Sequence, residues 1–243
     1  MEHTEQFKKL IEKSIENNQY LGLGNPDAKI LFVGKEPGAK INSGITHGGA
    51  RSWKDGNDYS ERFPAEGKIK NGRHTWQKYQ KLYELVMAKL NIKIVPEKKD
   101  HEITFVENVF TTELNDLSAP TSDEAKKLDG FEEGLQKRKN DFFKDDFIKS
   151  FPIVVITATD NKYIETYQGE VCDLFGVKFY EQITCGKSNK IWVHYAEEKN
   201  ETYPKLVLHT RQFTNGATNE LLEKISNILS DFVNEHSIKI KVK

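Results

Sequence analysis

Apolar runs of strand length alternate along this chain with longer segments of helical period. That alternation is the pattern of a largely parallel sheet covered by helices on both faces. KILFVG (Lys29 to Gly34) is the first run, ITFVENVF (Ile103 to Phe110) the second and KLVLHT (Lys205 to Thr210) the last. The third, FPIVVITAT (Phe151 to Thr159), carries the continuous β-branched run of a strand buried on both sides. Phe7, Leu10, Ile11 and Ile15 recur at helical spacing before NNQYLGLGNP ends that helix. TWQKYQKLYELVMAKLN predicts a helix with Trp76, Tyr79, Leu82, Tyr83, Val86 and Leu90 on its apolar face. Asp123 to Lys149 reads as helix in two pieces broken near Gly130 or Gly134, and DNKYIETYQGEVCDLFG as a helix stopped by Gly176. VKFYEQIT and KIWVHYA form an expected hairpin around CGKSN, and Ala217 to Val233 a closing helix. With no internal repeat or low-complexity linker, residues 1–243 are expected to form one α/β domain.

Composition narrows the partners. Lysine plus arginine (36) nearly cancels aspartate plus glutamate (37), so no global positive field advertises nucleic acid, and any such partner must meet a local patch. No apolar segment approaches the roughly 20 residues that a bilayer span needs, which points away from a membrane. The acidic, amphipathic opening MEHTEQFKKLIEKSIENN has neither the basic start of a signal peptide nor an arginine-rich transit pattern, so a cytoplasmic location is expected. Cys172 and Cys185 make neither CxxC nor a four-ligand set, and packed reduced thiols are the expected state, without a structural metal or other cofactor.

In open parallel sheets, ligands sit beyond the carboxyl ends of the strands. The first strand stops at a glycine and continues as Lys35-Glu36-Pro37-Gly38. This is either a turn, with Pro37 fixing φ and Gly38 supplying a conformation that other residues resist, or an active-site loop. ENVFTTELND at the second strand and HTRQFTNG after the last are comparably polar.

GLGNPDAKILFVGKEPG resembles the opening signature of the uracil-DNA glycosylase superfamily, most closely the GNP-A-I-FVGEAPG of its iron–sulfur branch. ENVF is similar to that superfamily's NVV segment, and LVLHTRQ falls where relatives carry HPS. The resemblance covers three short stretches, in the family's order. It implies an α/β/α sandwich around a four-stranded parallel sheet, and removal of uracil or a related deaminated base from DNA by hydrolysis of its N-glycosidic bond. Such a reaction builds positive charge on the sugar and negative charge on a flipped base, so it needs a carboxylate and an oxyanion donor.

Glu36 is the candidate carboxylate. It stands where the single-domain uracil glycosylases with GQDPY carry aspartate, whereas Lys35 occupies the iron–sulfur branch's acid position and is a candidate phosphate contact. Both residues would serve equally to solvate a turn. His209 is the candidate oxyanion donor, against the common alternative of a strand-end structural hydrogen bonder. Asn108 aligns with the asparagine that reads the edge of uracil, an amide matching O4 and N3–H, and its plain alternative is a satisfied amide. Gly34, Pro37 and Gly38 complete the base-recognition loop by the same resemblance. After His209, Thr210 and Arg211 replace the usual proline and serine. Arg211 is then a candidate phosphate contact, and Phe213 either a wedge for the space left by a flipped base or an anchor to the core. Trp53, Phe63 and Trp76 compete to stack on the base. Trp76 is nearest the motif position, yet it falls on the apolar helix face.

The one local basic concentration lies between the first two strands, with Arg51, Lys54, Lys68, Lys70, Arg73, His47 and His74. It reads as a DNA-facing insertion, with Arg73 a candidate contact, or as a long solvated loop. The leading expectation is a monomeric DNA glycosylase. The alternative is a drifted relative that binds nucleic acid or a nucleoside without cleaving it. Because the cysteines supply no cluster ligand set, purified protein is expected to lack iron–sulfur absorbance; a brown preparation with stoichiometric iron would overturn this.

Overall fold

The computed structural model describes residues 3–38, 48–56, 75–94, 103–196, 204–214 and 216–241. Its strands are β1 (Leu23–Gly24), β2 (Ile30–Gly34), β3 (Phe110–Glu113), β4 (Ile153–Thr157), β5 (Lys178–Cys185), β6 (Asn189–Tyr195) and β7 (Leu206–Thr210). Its α-helices are α1 (Glu5–Glu16), α2 (Ala50–Lys54), α3 (Thr75–Lys89), α4 (Ser122–Ala125), α5 (Phe131–Lys137), α6 (Asp146–Lys149), α7 (Glu170–Phe175) and α8 (Asn219–Glu235). The fold is mixed α/β, and none of the described helices is long and apolar enough to cross a membrane.

β2, β4 and β7 are buried at every position, as their uninterrupted apolar sequence requires. One seven-stranded sheet results, in the order β1-β3-β2-β4-β7-β6-β5. It corrects the expectation of a four-stranded parallel sheet, because antiparallel strands extend it at both ends. β3, β2, β4 and β7 pair parallel with their neighbours, β1 runs antiparallel to β3, and the hairpin of β5 and β6 adds antiparallel to β7. Alternate residues feed two cores. Leu31, Val33, Val154, Ile156 and Val207 pack with residues of α1, α5, α6 and α7, while Ile30, Phe32, Val155, Leu206 and Leu208 pack with residues of α3 and α8.

Two departures from the sequence reading move the site. The segment Ile103 to Phe110 is not one strand: Phe105–Glu107 forms a 3-10 turn and pairing starts only at Phe110. Gln80 of α3 is the cause. Its Oε1 accepts from the backbone N–H of Thr104 and of Phe105, at 2.8 Å each, while its Nε2 donates to Thr104 Oγ1 at 2.9 Å. Donors that would enter a ladder are thus satisfied by a side chain. The span Asp123 to Lys149 breaks at Gly130, which is left-handed, but also beyond α5, where Arg138–Phe142 forms a π turn. The segment before α7 is likewise not helical. Glu165 reaches forward to accept from Gly169 N and Val171 N, and the helix then ends at left-handed Gly176 as expected.

The π turn carries the fully buried Arg138. Its Nε donates to Glu113 O at 3.0 Å, Nη1 to Tyr20 O at 2.6 Å and Nη2 to Thr112 Oγ1 at 3.0 Å, with the guanidinium 4.0 Å from the Phe142 ring centroid. Burial pushes its pKa down to about 10, which leaves it charged at neutral pH. Arg138→Ala strips three buried acceptors of their donor and opens a cavity, so it is expected to lower unfolding stability by about 3 kcal/mol or more in urea titrations. A loss below about 1 kcal/mol would show that the guanidinium does not brace β3.

Candidate active site at the carboxyl edge of the sheet

Beyond Gly34 the chain bends at Lys35 and Glu36 yet stays bonded to the segment after β3. Leu114 N donates to Gly34 O at 2.9 Å, Asn115 N to Lys35 O at 2.8 Å and Ala119 N to Pro37 O at 3.3 Å, and Gly38 bridges Ala119 in parallel. Residues 35–38 thus continue the pairing of β2 along the segment after β3. Gly38 is not left-handed, and an added Cβ there meets nothing within 4 Å, which removes the expected reason for a glycine. Gly34 does have one: its missing Cβ leaves the space that the Glu113 carboxylate occupies.

This bonded run delivers Glu36 to a cluster shared by the segments after β2 and β4 and the first turn of α4. Glu36 Oε1 accepts from Ser122 Oγ at 2.7 Å. Its Oε2 is buried without a hydrogen-bond partner among the described residues, and so is the hydroxyl of the fully buried Tyr163. Burial raises the Tyr163 pKa above its ordinary value, and the neighbouring Glu36 carboxylate raises it further. Glu113 follows the same logic. Burial first, then the negative charge of Glu36, pushes its pKa up to about 8, against the opposing pull of Arg138. One carboxyl group is therefore kept protonated at neutral pH beside another. Lys35 lies 5.2 Å from the Tyr163 ring centroid and 3.8 Å from Asp160 Oδ2, and Lys126 pairs with that same oxygen at 3.0 Å.

The other expected site residues lie elsewhere. Asn108 precedes β3, and because Phe110 pairs with Leu31 and Glu113 with Gly34, it sits at the amino edge, opposite Glu36. There its amide donates to Tyr83 Oη at 2.8 Å. His209 lies within β7, buried. Its Nε2 donates to Ala158 O, and its ring packs tilted against Trp192 at a 5.1 Å centroid distance. Burial pushes its pKa down to about 4, so the ring is neutral, with its Nε2–H proton already engaged.

Phe213 is completely buried against Tyr79, at 5.6 Å between centroids; it is a core anchor, not a wedge. Arg211 bonds Asn189 Oδ1 of β6 at 3.1 Å and packs over Gly216. Trp76 packs edge-on to Phe105 beside the core, and Trp53 is buried, donating to Gly22 O at 2.9 Å. Arg73 and Phe63 lie outside the described residues, as do His47, Lys68, Lys70 and His74.

Glu113, Ser122, Tyr163, Lys126 and Asp160 were not foreseen. Glu113 carried a usable signal, since it ends a strand in the same way that Glu36 follows one. The others come from loops whose convergence no local pattern encodes. Comparison with protein-family models and with curated proteins finds no match for this chain.

The raised pKa of Glu113 has a definite sign for stability. Its proton-bound form is favoured in the folded state, so its contribution is full below the ordinary value of 4.5 and is lost as pH rises through about 8. Urea titrations across that window should show stability falling with pH, and Glu113→Gln should flatten the fall. An unchanged slope in the variant would place the titration on another group.

Proposed function

We propose that the protein is a DNA N-glycosylase that removes uracil or a related deaminated base. We place it on a uracil-DNA glycosylase-like sandwich whose central strands are β3, β2, β4 and β7. The observation that carries the reading is the pair Glu36 and Glu113 at the carboxyl ends of adjacent parallel strands, with one Glu36 oxygen on Ser122 and the other without a partner among the described residues, and with the Glu113 pKa raised by burial and by Glu36. Cleavage of an N-glycosidic bond asks for an anion facing the developing sugar cation and a proton or hydrogen-bond donor facing the departing base. Glu36 supplies the first, through Oε2, while Ser122 holds its other oxygen. Glu113 supplies the second, as a neutral acid. Tyr163 Oη, beside Glu36, orients the attacking water. This assignment replaces Asn108 and His209, whose polar atoms already serve internal bonds, while keeping Glu36 in its expected role.

Those two internal bonds favour one further reading, a domain that binds a nucleoside or nucleic acid without cleaving it. Excision assays on uracil-, hypoxanthine- and xanthine-bearing oligonucleotides separate the two. Wild-type protein is expected to release base, and Glu36→Gln or Glu113→Gln to slow release by about a hundredfold or more with the thermal midpoint kept as a folding control. Binding without release at any lesion would leave the second reading, and neither binding at low salt nor release would dismiss both.

A further inference from the structure

Lys35 and Lys126 come from different loops and meet on a single carboxylate. Lys35 follows β2, Lys126 caps the end of α4, and Asp160 follows β4. Lys35 is 11% exposed and Lys126 27%, so both are partly shielded yet reachable. Asp123 also pairs with Lys126 at 3.0 Å, from a side chain that is 86% exposed, where solvent weakens the pair. At the point of convergence, two ammonium groups share one partly shielded carboxylate, Asp160, and the exposed Asp123 supplies the second negative charge. Tyr163 ties that point to Glu36, since its ring lies under Lys35 and its hydroxyl is beside the Glu36 carboxylate.

We infer that Lys35 and Lys126 form a phosphate subsite, occupied in the free protein by the Asp160 carboxylate, which a nucleotide phosphate displaces. The substrate class is therefore a phosphorylated nucleoside, with the phosphate accepted by the two lysines while the sugar and base face Glu36 and Glu113. This rests on the reading of Glu36 as the site of sugar chemistry. A phosphate monoester carries up to two negative charges where a carboxylate carries one, and lysine meets phosphate as a point charge needing no fixed fork. Asp160 has a second task that makes a clean test available. Its Oδ1 accepts from Lys162 N at 3.0 Å, an Asx turn that asparagine preserves.

Calorimetric titration of the full chain with inorganic phosphate, deoxyuridine, deoxyuridine monophosphate and a uracil-bearing oligonucleotide tests the inference without requiring cleavage. The monophosphate is expected to bind about tenfold or more tighter than the nucleoside. Lys126→Ala should abolish most of that difference, and Asp160→Asn should tighten the monophosphate and inorganic phosphate by several-fold while leaving deoxyuridine unchanged. The same shifts seen with the oligonucleotide alone would assign the phosphate to a DNA chain. If Asp160→Asn leaves phosphate affinity unaltered or weaker, or if Lys126→Ala affects nucleoside and nucleotide alike, the subsite does not exist. Phosphate-dependent shifts in a protein that releases no base would retain the subsite and remove the glycosylase reading.

Discussion

Parallel pairing between β2 and β3 does not stop where the strands stop, and the rest of the carboxyl edge depends on that. The hydrogen bonds from Leu114, Asn115 and Ala119 back to Gly34, Lys35 and Pro37 hold two loops side by side as if they were strands. Held by these bonds through the bend at Lys35 and Glu36, the Glu36 carboxylate stays beside Tyr163 and Ser122. Arg138 secures the partner segment from the opposite side of β3, by tying the Glu113 carbonyl and the Thr112 hydroxyl to Tyr20. A site that would otherwise ride on mobile loops is thus carried by sheet geometry, which favours preorganisation of its charged groups.

Burial then divides the labour between two similar side chains. Glu113 lies half-buried in the space above Gly34, where desolvation of the carboxyl group penalises its charged form. Glu36 keeps one oxygen on a serine hydroxyl and one without a partner among the described residues, and its charge further discourages ionisation of its neighbour. The lysines do not neutralise this arrangement, because Asp160 already engages both. The two glutamates thereby stand together within one cluster while the lysines beside them are paired with aspartate.

Sequence alone conveyed the elements with continuous apolar runs, since β2, β4 and β7 are buried on both sides and nothing competes with that pattern. It also conveyed Glu36 and Lys35, which belong to the first motif. It misplaced β3 because the outcome turned on Gln80, some 25 residues away, capturing the backbone before Phe110. That one capture moved Asn108 to the far edge. His209 and Phe213 were left with two readings each for a related reason. A strand-end histidine and a loop phenylalanine look alike in sequence whether they face a cleft or the core, and here Ala158, Trp192 and Tyr79 claim them. Ser122, Tyr163 and Asp160 had no local signature, because loops converge by tertiary packing.

The space shared by Gly34 and Glu113 has an evolutionary corollary. A side chain at position 34 would meet the carboxylate of residue 113 and make it move aside, so the two positions are coupled. A lineage that loses the acid at 113 frees position 34 to accept alanine or serine, and an acid that later returns must then settle in another rotamer. A glycine kept at position 34 in a related chain therefore leaves the acid room to stand beside residue 36, where it stands here.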